Sequence, residues 1–178
     1  MYPSTRVIVD ATEIPIEKPS KPTAQQATFS TYKNTNTLKV LVGANPSGLI
    51  SFASEAFGGS TSDRQIFERS VLPELCSRGD SIMADREYNV QDIFESKGVA
   101  ITIPAFLRGK DHLSGSVIMR DRRLASKRVH IERLIGQVKV YHIWTTKLNH
   151  CYVQHGSDIF FVCFMLSNFR EDIVSRKA

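Results

Sequence analysis

Cysteine is scarce in this chain: Cys76, Cys151 and Cys163 are the only ones among 178 residues. An odd number at spacings that match neither a disulfide framework nor a zinc site excludes a cysteine-stapled scaffold and points to a reducing compartment. His112, His130, His142, His150 and His155 do not pair with those cysteines at ligand spacings, which removes a structural zinc as well. Long hydrophobic runs are also missing. The longest, Ile159 to Leu166, falls far short of the roughly 20 residues a membrane helix needs. No basic-then-apolar leader opens the sequence, which argues against a cleaved signal peptide. Internal repeats and low-complexity tracts are absent. The expectation is a soluble intracellular protein with no membrane partner.

What is present is ordinary for a globular chain: 42% apolar and 23% charged residues, a length that suits one domain. The net charge of +5 and a pI near 9.2 suit an anionic partner without identifying one.

The most informative stretch lies near the start, Arg6-Val7-Ile8-Val9-Asp10-Ala11-Thr12-Glu13-Ile14. Three consecutive β-branched residues predict a strand buried on both faces. It is read as ending on Asp10, a carboxylate too costly to bury without a partner or a metal. Pro15, Pro19 and Pro22, with Lys18 and Lys21, then predict an exposed, partly extended connection. Strands over Leu38–Ala44 and Leu49–Phe57 are joined by Asn45-Pro46-Ser47-Gly48, a hairpin turn, with Tyr32, Lys33 and Lys39 just before or at its start. A glycine turn at Gly58-Gly59 leads into a helix expected over Asp63–Leu75, with Ile66, Phe67, Val71 and Leu72 inward.

Ser81-Ile82-Met83-Ala84-Asp85 reads as a short buried strand that again ends on an aspartate. A short helix over Asn89–Glu95, closed by Lys97-Gly98, precedes a strand over Val99–Pro104. Arg108–Ser116 is read as a polar loop. From about Met119 to Trp144 the period becomes helical, with Leu124, Ile131, Ile135 and Val138 on one face and His142 in line. Trp144 with Tyr141 is expected to close this helix onto the core. A last helix, about Val153 to Phe169, is apolar almost all round and expected to be largely buried, with Asp158 as a charge near its start.

This order predicts an α/β fold with a mixed five-stranded sheet flanked by helices. The strands ending in Asp10 and Asp85 would be parallel neighbours, their carboxylates at one sheet end, where ligand sites of open α/β sheets lie. Glu132, on the flank of the long helix's apolar face, is the candidate third acid; Arg128 and Lys139 share that flank. Gly136 inside the helix hints at a close backbone approach. Two of these three acids have plain alternatives: Asp10 bonded to backbone and Glu132 in a solvated pair with Arg128. Asp63 reads most simply as a helix cap. Together Asp10, Asp85 and Glu132 make a set of hard oxygen ligands for divalent cations, with Arg128 and Lys139 facing a phosphate backbone.

The segments Ile8–Ile14, Gly59–Arg64, Ile82–Arg86 and Arg128–Lys139 resemble the DDE nuclease domain of Harbinger-type transposases. The last motif, Arg128-x-x-x-Glu132-Arg133-x-x-Gly136-x-x-Lys139, is the most specific, and the likeness runs from about Arg6 to Phe169. It implies an RNase H-like fold and metal-dependent cleavage and joining of DNA. The metal-binding catalytic triad would be Asp10, Asp85 and Glu132, holding two Mg²⁺ or Mn²⁺ ions, with Asp63 auxiliary. Implied partners are DNA, a separate DNA-binding protein and a second copy of the chain; the implied address is the nucleus. The resemblance has two departures. A glycine and an aromatic usually follow the second motif's Asp-Arg pair, where this chain has Glu87-Tyr88. Family members also carry an upstream helix-turn-helix segment or borrow one, and this sequence has none. A domesticated, non-cutting scaffold and a nuclease acting on RNA or hybrids are the competing readings.

Overall fold

The computed structural model describes residues 5–85, 88, 90–103 and 128–170. Its sheet is built around the first strand, β1 (Thr5–Pro15). Val7, Ile8 and Val9 are all buried there, as three β-branched residues in a row demand when both faces are covered. On one edge β1 pairs antiparallel with β3 (Thr35–Ala44), from Ile8 opposite Ala44 to Pro15 opposite Thr37. On the other edge it pairs parallel with β6 (Ser81–Met83), with Val7 opposite Ile82 and Ile8 opposite Met83. The parallel neighbourhood of the two aspartate-bearing strands is therefore present. β1 does not end on Asp10, however. Its pairing with β6 stops at Ile8, while β3 carries the strand on past Asp10 to Pro15.

The sheet runs β2 (Phe29–Ser30), β3, β1, β6, β7 (Ala100–Thr102), with β4 (Ile50–Ala53) and β5 (Phe57–Gly58) also pairing β3. It is a mixed α/β sheet, five strands on its main path and two short ones beside it. β6 and β7 are parallel, and a helix lies in the crossover between them, as is usual for parallel neighbours. The hairpin turn falls at Asn45, whose Oδ1 accepts from Leu49 N at 3.0 Å, and Gly48 supplies the left-handed residue at φ 90°.

Side-chain alternation divides the interior in two. Ile8 and Ile14 of β1, Val40 and Val42 of β3 and Met83 of β6 pack with the helices that follow the sheet. Val7 and Val9, Leu41 and Ile82 face the opposite layer, with Ile66, Phe67 and Phe94. The first layer contains α5, helical over 128–138, then α6 (His142–Thr145), α7 (His150–Val153) and α8 (Gly156–Ser167). The second is covered by α2 (Asp63–Arg69), α3 (Leu72–Leu75) and α4 (Gln91–Glu95).

Several expectations need correction. The proline-rich connection buries Ile16 and contains α1 (Pro22–Thr28), which starts on Pro22 because a first-turn residue needs no N–H. α1 lies directly on the glycine turn: a Cβ at Gly58 would stand 2.1 Å from the Ala27 carbonyl oxygen. The helix expected over Asp63–Leu75 breaks at Ser70–Val71, because Pro73 can neither donate nor sit inside a continuous helix. Val71, expected inward, is 56% exposed at that break. α5 ends at 138, so His142 leaves its apolar face and is exposed. The last helix is present as α8, preceded by the short α7 capped by Asn149, but α8 is buried on one side only. Phe160, Cys163 and Phe164 face the core, whereas Phe161, Val162 and Leu166 are half exposed.

Trp144 does close the α5 region onto the core, with edge-on contacts to Phe160 and Phe164 at 5.2 and 5.6 Å. The three cysteines are free. No described helix is long and apolar enough to cross a membrane. The loop expected over Arg108–Ser116, Leu124, Arg86 and Glu87 lie outside the described residues.

Candidate active site

The site begins with register. Ile8 and Met83 are partners across the parallel pair, and each aspartate lies two positions further on. Alternation then puts Asp10 and Asp85 level with one another, on the face that Ile8 and Met83 present to α5. Because β6 has run out at this height, the edge of β1 is left without a strand partner from Asp10 until Leu148 pairs with it at Pro15 and Ile16. A cleft of about 410 Å³ occupies that opening, bordered by Asp10 to Glu13 of β1, Asp85, Asp63, Tyr88 and three lysines.

α5 brings up the third acid by way of an arginine. Ile131, Ile135 and Val138 seat the helix in the core. One flank is thereby turned to the cleft, and Arg128 lies across it. Its Nη1 donates to Asp85 Oδ1 at 3.0 Å, and its Nη2 stands 3.8 Å from Glu132 Oε1. Arg128 is largely buried, while Glu132 is more than half exposed and does not border the cleft. The Arg128–Glu132 pair read from the sequence is thus real, but its arginine also reaches the second aspartate. No approach of backbone explains Gly136, since an added Cβ there would meet nothing within 4 Å.

Asp10 carries the clearest electrostatic signature. Burial pushes its pKa up from 3.8 to about 6. A hydrogen bond from Ala11 N to its Oδ1, 2.9 Å, and the Arg128 charge pull the other way; Glu132 and Asp85 push it further up. A carboxylate held in this way gains from any cation brought near it.

On the opposite wall, Lys39 of β3 stands 2.5 Å from Asp63 Oδ1 and 3.9 Å from Glu13 Oε1, and Thr37 Oγ1 donates to Glu13 Oε2 at 2.9 Å. All three charged side chains are mostly buried. Asp63 is therefore not the cap of α2: Ser62 is, in a capping box with Gln65, and the Asp63 carboxylate is turned to Lys39. The sequence does not reveal the pairing of Glu13 with Lys39, which the antiparallel β1–β3 register makes direct cross-strand partners. Tyr88 was noted only as part of a departure from a pattern. It is buried edge-on against Phe67 at 5.2 Å. Burial and the Asp63 and Asp10 charges hold its phenol well above its usual pKa, so it remains a proton donor in the cleft.

Lys139 borders the cleft just past the end of α5. Burial and the Lys33 charge lower its pKa, against the pull of Asp10 and Glu13. The cleft thus mixes carboxylates with cations, which suits a site that handles both a cation and a phosphate. The donor chemistry fits a hard divalent cation: Asp10 and Asp85 on the cleft and Glu132 behind Arg128 offer carboxylate oxygens. Among the described residues no three acidic, histidine or cysteine side chains converge tightly enough to hold a metal ion. Arg128 supplies the positive charge between them instead.

No curated protein matches the chain. A family model described as DDE superfamily endonuclease matches residues 9–168, which takes in β1 from Val9 onward, the cleft and the described helices through α8. That match covers nearly the whole sequence, and the chain belongs to the DDE superfamily endonucleases.

Proposed function

We propose that this chain is a divalent-metal-dependent DNA endonuclease of the transposase type, on an RNase H-like fold and of the Harbinger subtype. Asp10, Asp85 and Glu132 are its metal ligands. The observation that carries the reading is the level placement of Asp10 and Asp85 on adjacent parallel strands, with Arg128 joining Asp85 to Glu132. Bound there, a pair of Mg²⁺ or Mn²⁺ ions would supply Lewis acidity to an attacking water and to the leaving 3′-oxygen. The chain's own residues do the rest. Asp10 and Asp85 offer oxygens from rigid strands, and Arg128 gives up Asp85 when another cation takes its charge. Lys139 and Arg128 then meet the phosphate backbone, and the Tyr88 phenol donates a hydrogen bond from the cleft wall. Joining of the freed 3′-hydroxyl to a second DNA, a nuclear address, and a partner protein or second copy are parts of the same proposal that rest on family resemblance.

The test is nicking of supercoiled plasmid with Mg²⁺ or Mn²⁺, together with the thermal stability of wild type, Asp10→Asn and Asp85→Asn on titration of either metal. Nicking by wild type alone, with a metal-dependent rise in melting temperature lost in both variants, is expected. A ligand at about 100 times its dissociation constant adds about 2.7 kcal/mol. If Asp85→Asn cuts as well as wild type, the assignment is wrong.

One observation favours a second reading, a domesticated scaffold that binds DNA without cutting it. Among the described residues the acids are not drawn into a closed set, and Arg128 already neutralises Asp85. DNA binding with neither nicking nor a metal-dependent rise would establish it.

A further inference from the structure

The turn between β2 and β3 projects a side chain that neither the fold nor the proposed chemistry uses. Tyr32 is 85% exposed, yet it borders the cleft that holds Asp10 and Asp85. The turn that carries it is firmly tied down. Asn34 takes the left-handed conformation at φ 51°, and Lys33 N donates to the buried Ser30 Oγ at 3.2 Å. Asn36, at the root of the turn, donates from Nδ2 to Gln25 O at 2.8 Å and to Thr28 Oγ1 at 2.9 Å.

A lone exposed tyrosine is common and usually means nothing. This one differs in its company. Lys33 Nζ stands 4.9 Å from its ring centroid, and Lys139 borders the same cleft. The two lysines are close enough for the Lys33 charge to disfavour that of Lys139. Among the described residues neither has a carboxylate within ion-pair distance, while Lys39 in the same cleft has two. The Asp10 and Glu13 charges offset that crowding only from beyond ion-pair distance. Two crowded cations with no ion-paired carboxylate leave a place for an anion, and a rigid ring beside it makes a place for a flat group. A nucleotide carries both.

We infer that Tyr32 is a stacking platform for an unpaired DNA base, and that Lys33 and Lys139 hold the phosphate next to it. The inference rests on the nucleic-acid reading above and narrows it. Inside a duplex both faces of a base are already covered by its neighbours, so the ring can stack only on a base that has left the helix. The substrate therefore presents an unpaired nucleotide, at a DNA end, a junction or a segment of plasmid that negative supercoiling has opened.

The test is fluorescence anisotropy of the full chain in EDTA, with labelled oligonucleotides that form a blunt duplex or the same duplex with a short unpaired end. Wild type is expected to favour the unpaired end. Tyr32→Ala should weaken binding to that end by roughly five- to a hundredfold and leave the blunt duplex unaffected, as loss of one base-stacking ring does. Tyr32→Phe should retain the preference, because the ring and not the hydroxyl does the stacking. 2-Aminopurine in the unpaired end should be quenched by wild type and Tyr32→Phe but not by Tyr32→Ala. If Tyr32→Ala binds both oligonucleotides as wild type does, with equal quenching, the platform is refuted and the nuclease reading survives. If wild type binds neither oligonucleotide, the nucleic-acid reading falls and the platform with it.

Discussion

Replacing Asp10 by asparagine should make this protein more stable at neutral pH. Asparagine has the same shape and retains an Oδ1 for the Ala11 amide, so packing and the local hydrogen bond survive the change. What disappears is a carboxylate whose pKa is raised from 3.8 to about 6 in the folded chain, chiefly by burial. Because the folded state holds this proton more tightly than the unfolded chain does, stability falls as pH rises from about 4 to about 6. Above that window the charged group destabilises the fold by about two pKa units at 1.36 kcal/mol each, or about 3 kcal/mol. Below about pH 4 the cost is absent, since both states are protonated. Urea unfolding of wild type and Asp10→Asn near pH 7.5 should therefore show a gain of about 3 kcal/mol, equivalent to roughly 6–12 °C in melting temperature. The gain should shrink steadily as pH is lowered through the window. An Asn variant no more stable than wild type at neutral pH would refute the reasoning. So would a gain that is the same at pH 4.5, because packing and not charge would then be its source. The prediction also separates two demands on one residue: the variant that folds best should be one that no longer cuts.

Gly136→Ala should stabilise the protein by about 1 kcal/mol, since the helix gains an alanine and the new methyl meets nothing; a lower melting temperature would show that something packs there after all. Lys39→Met leaves Glu13 and Asp63 side by side and mostly buried without their cation, at a cost of about 3 kcal/mol in chemical denaturation. Adding Asp63→Asn to that variant should recover part of the loss, and a purely additive further loss would disprove the coupling.

The placement of the two aspartates was legible because period-two alternation and parallel pairing are both written in short apolar strings. Val7-Ile8-Val9 and Ile82-Met83-Ala84 identify buried strands, and each string fixes the side on which its following aspartate emerges. The Arg128–Glu132 spacing likewise foretold a contact along α5, but not that the arginine would reach Asp85, which depends on how the helix docks. The Lys39 network was hidden for a different reason. Ser60, Thr61, Ser62 and Asp63 can all cap a helix, and only the path of the chain over the glycine turn decides that Ser62 does so. Gly136 was misread because a helical glycine signals a lost methyl group without saying whether anything fills the space. The apolar run in α8 was misread because composition does not say how many sides of a helix find a partner. The break at Pro73, by contrast, was there to be seen.

The central place of β1 has a consequence for the chain as it is made. One edge of β1 finds its partner in β3, which follows soon after it in the sequence, but the other waits for β6, beyond the whole of α2 and α3. Until then the amides and carbonyls along Thr5–Ile8 form an open strand edge, which invites pairing with any other nascent chain. A ribosome that stops short of β6 would release a sticky sheet with one aspartate and no partner for it. Synthesis has to run on through α5 before the acids meet, so an interrupted product would be an aggregation hazard and not a stray nuclease.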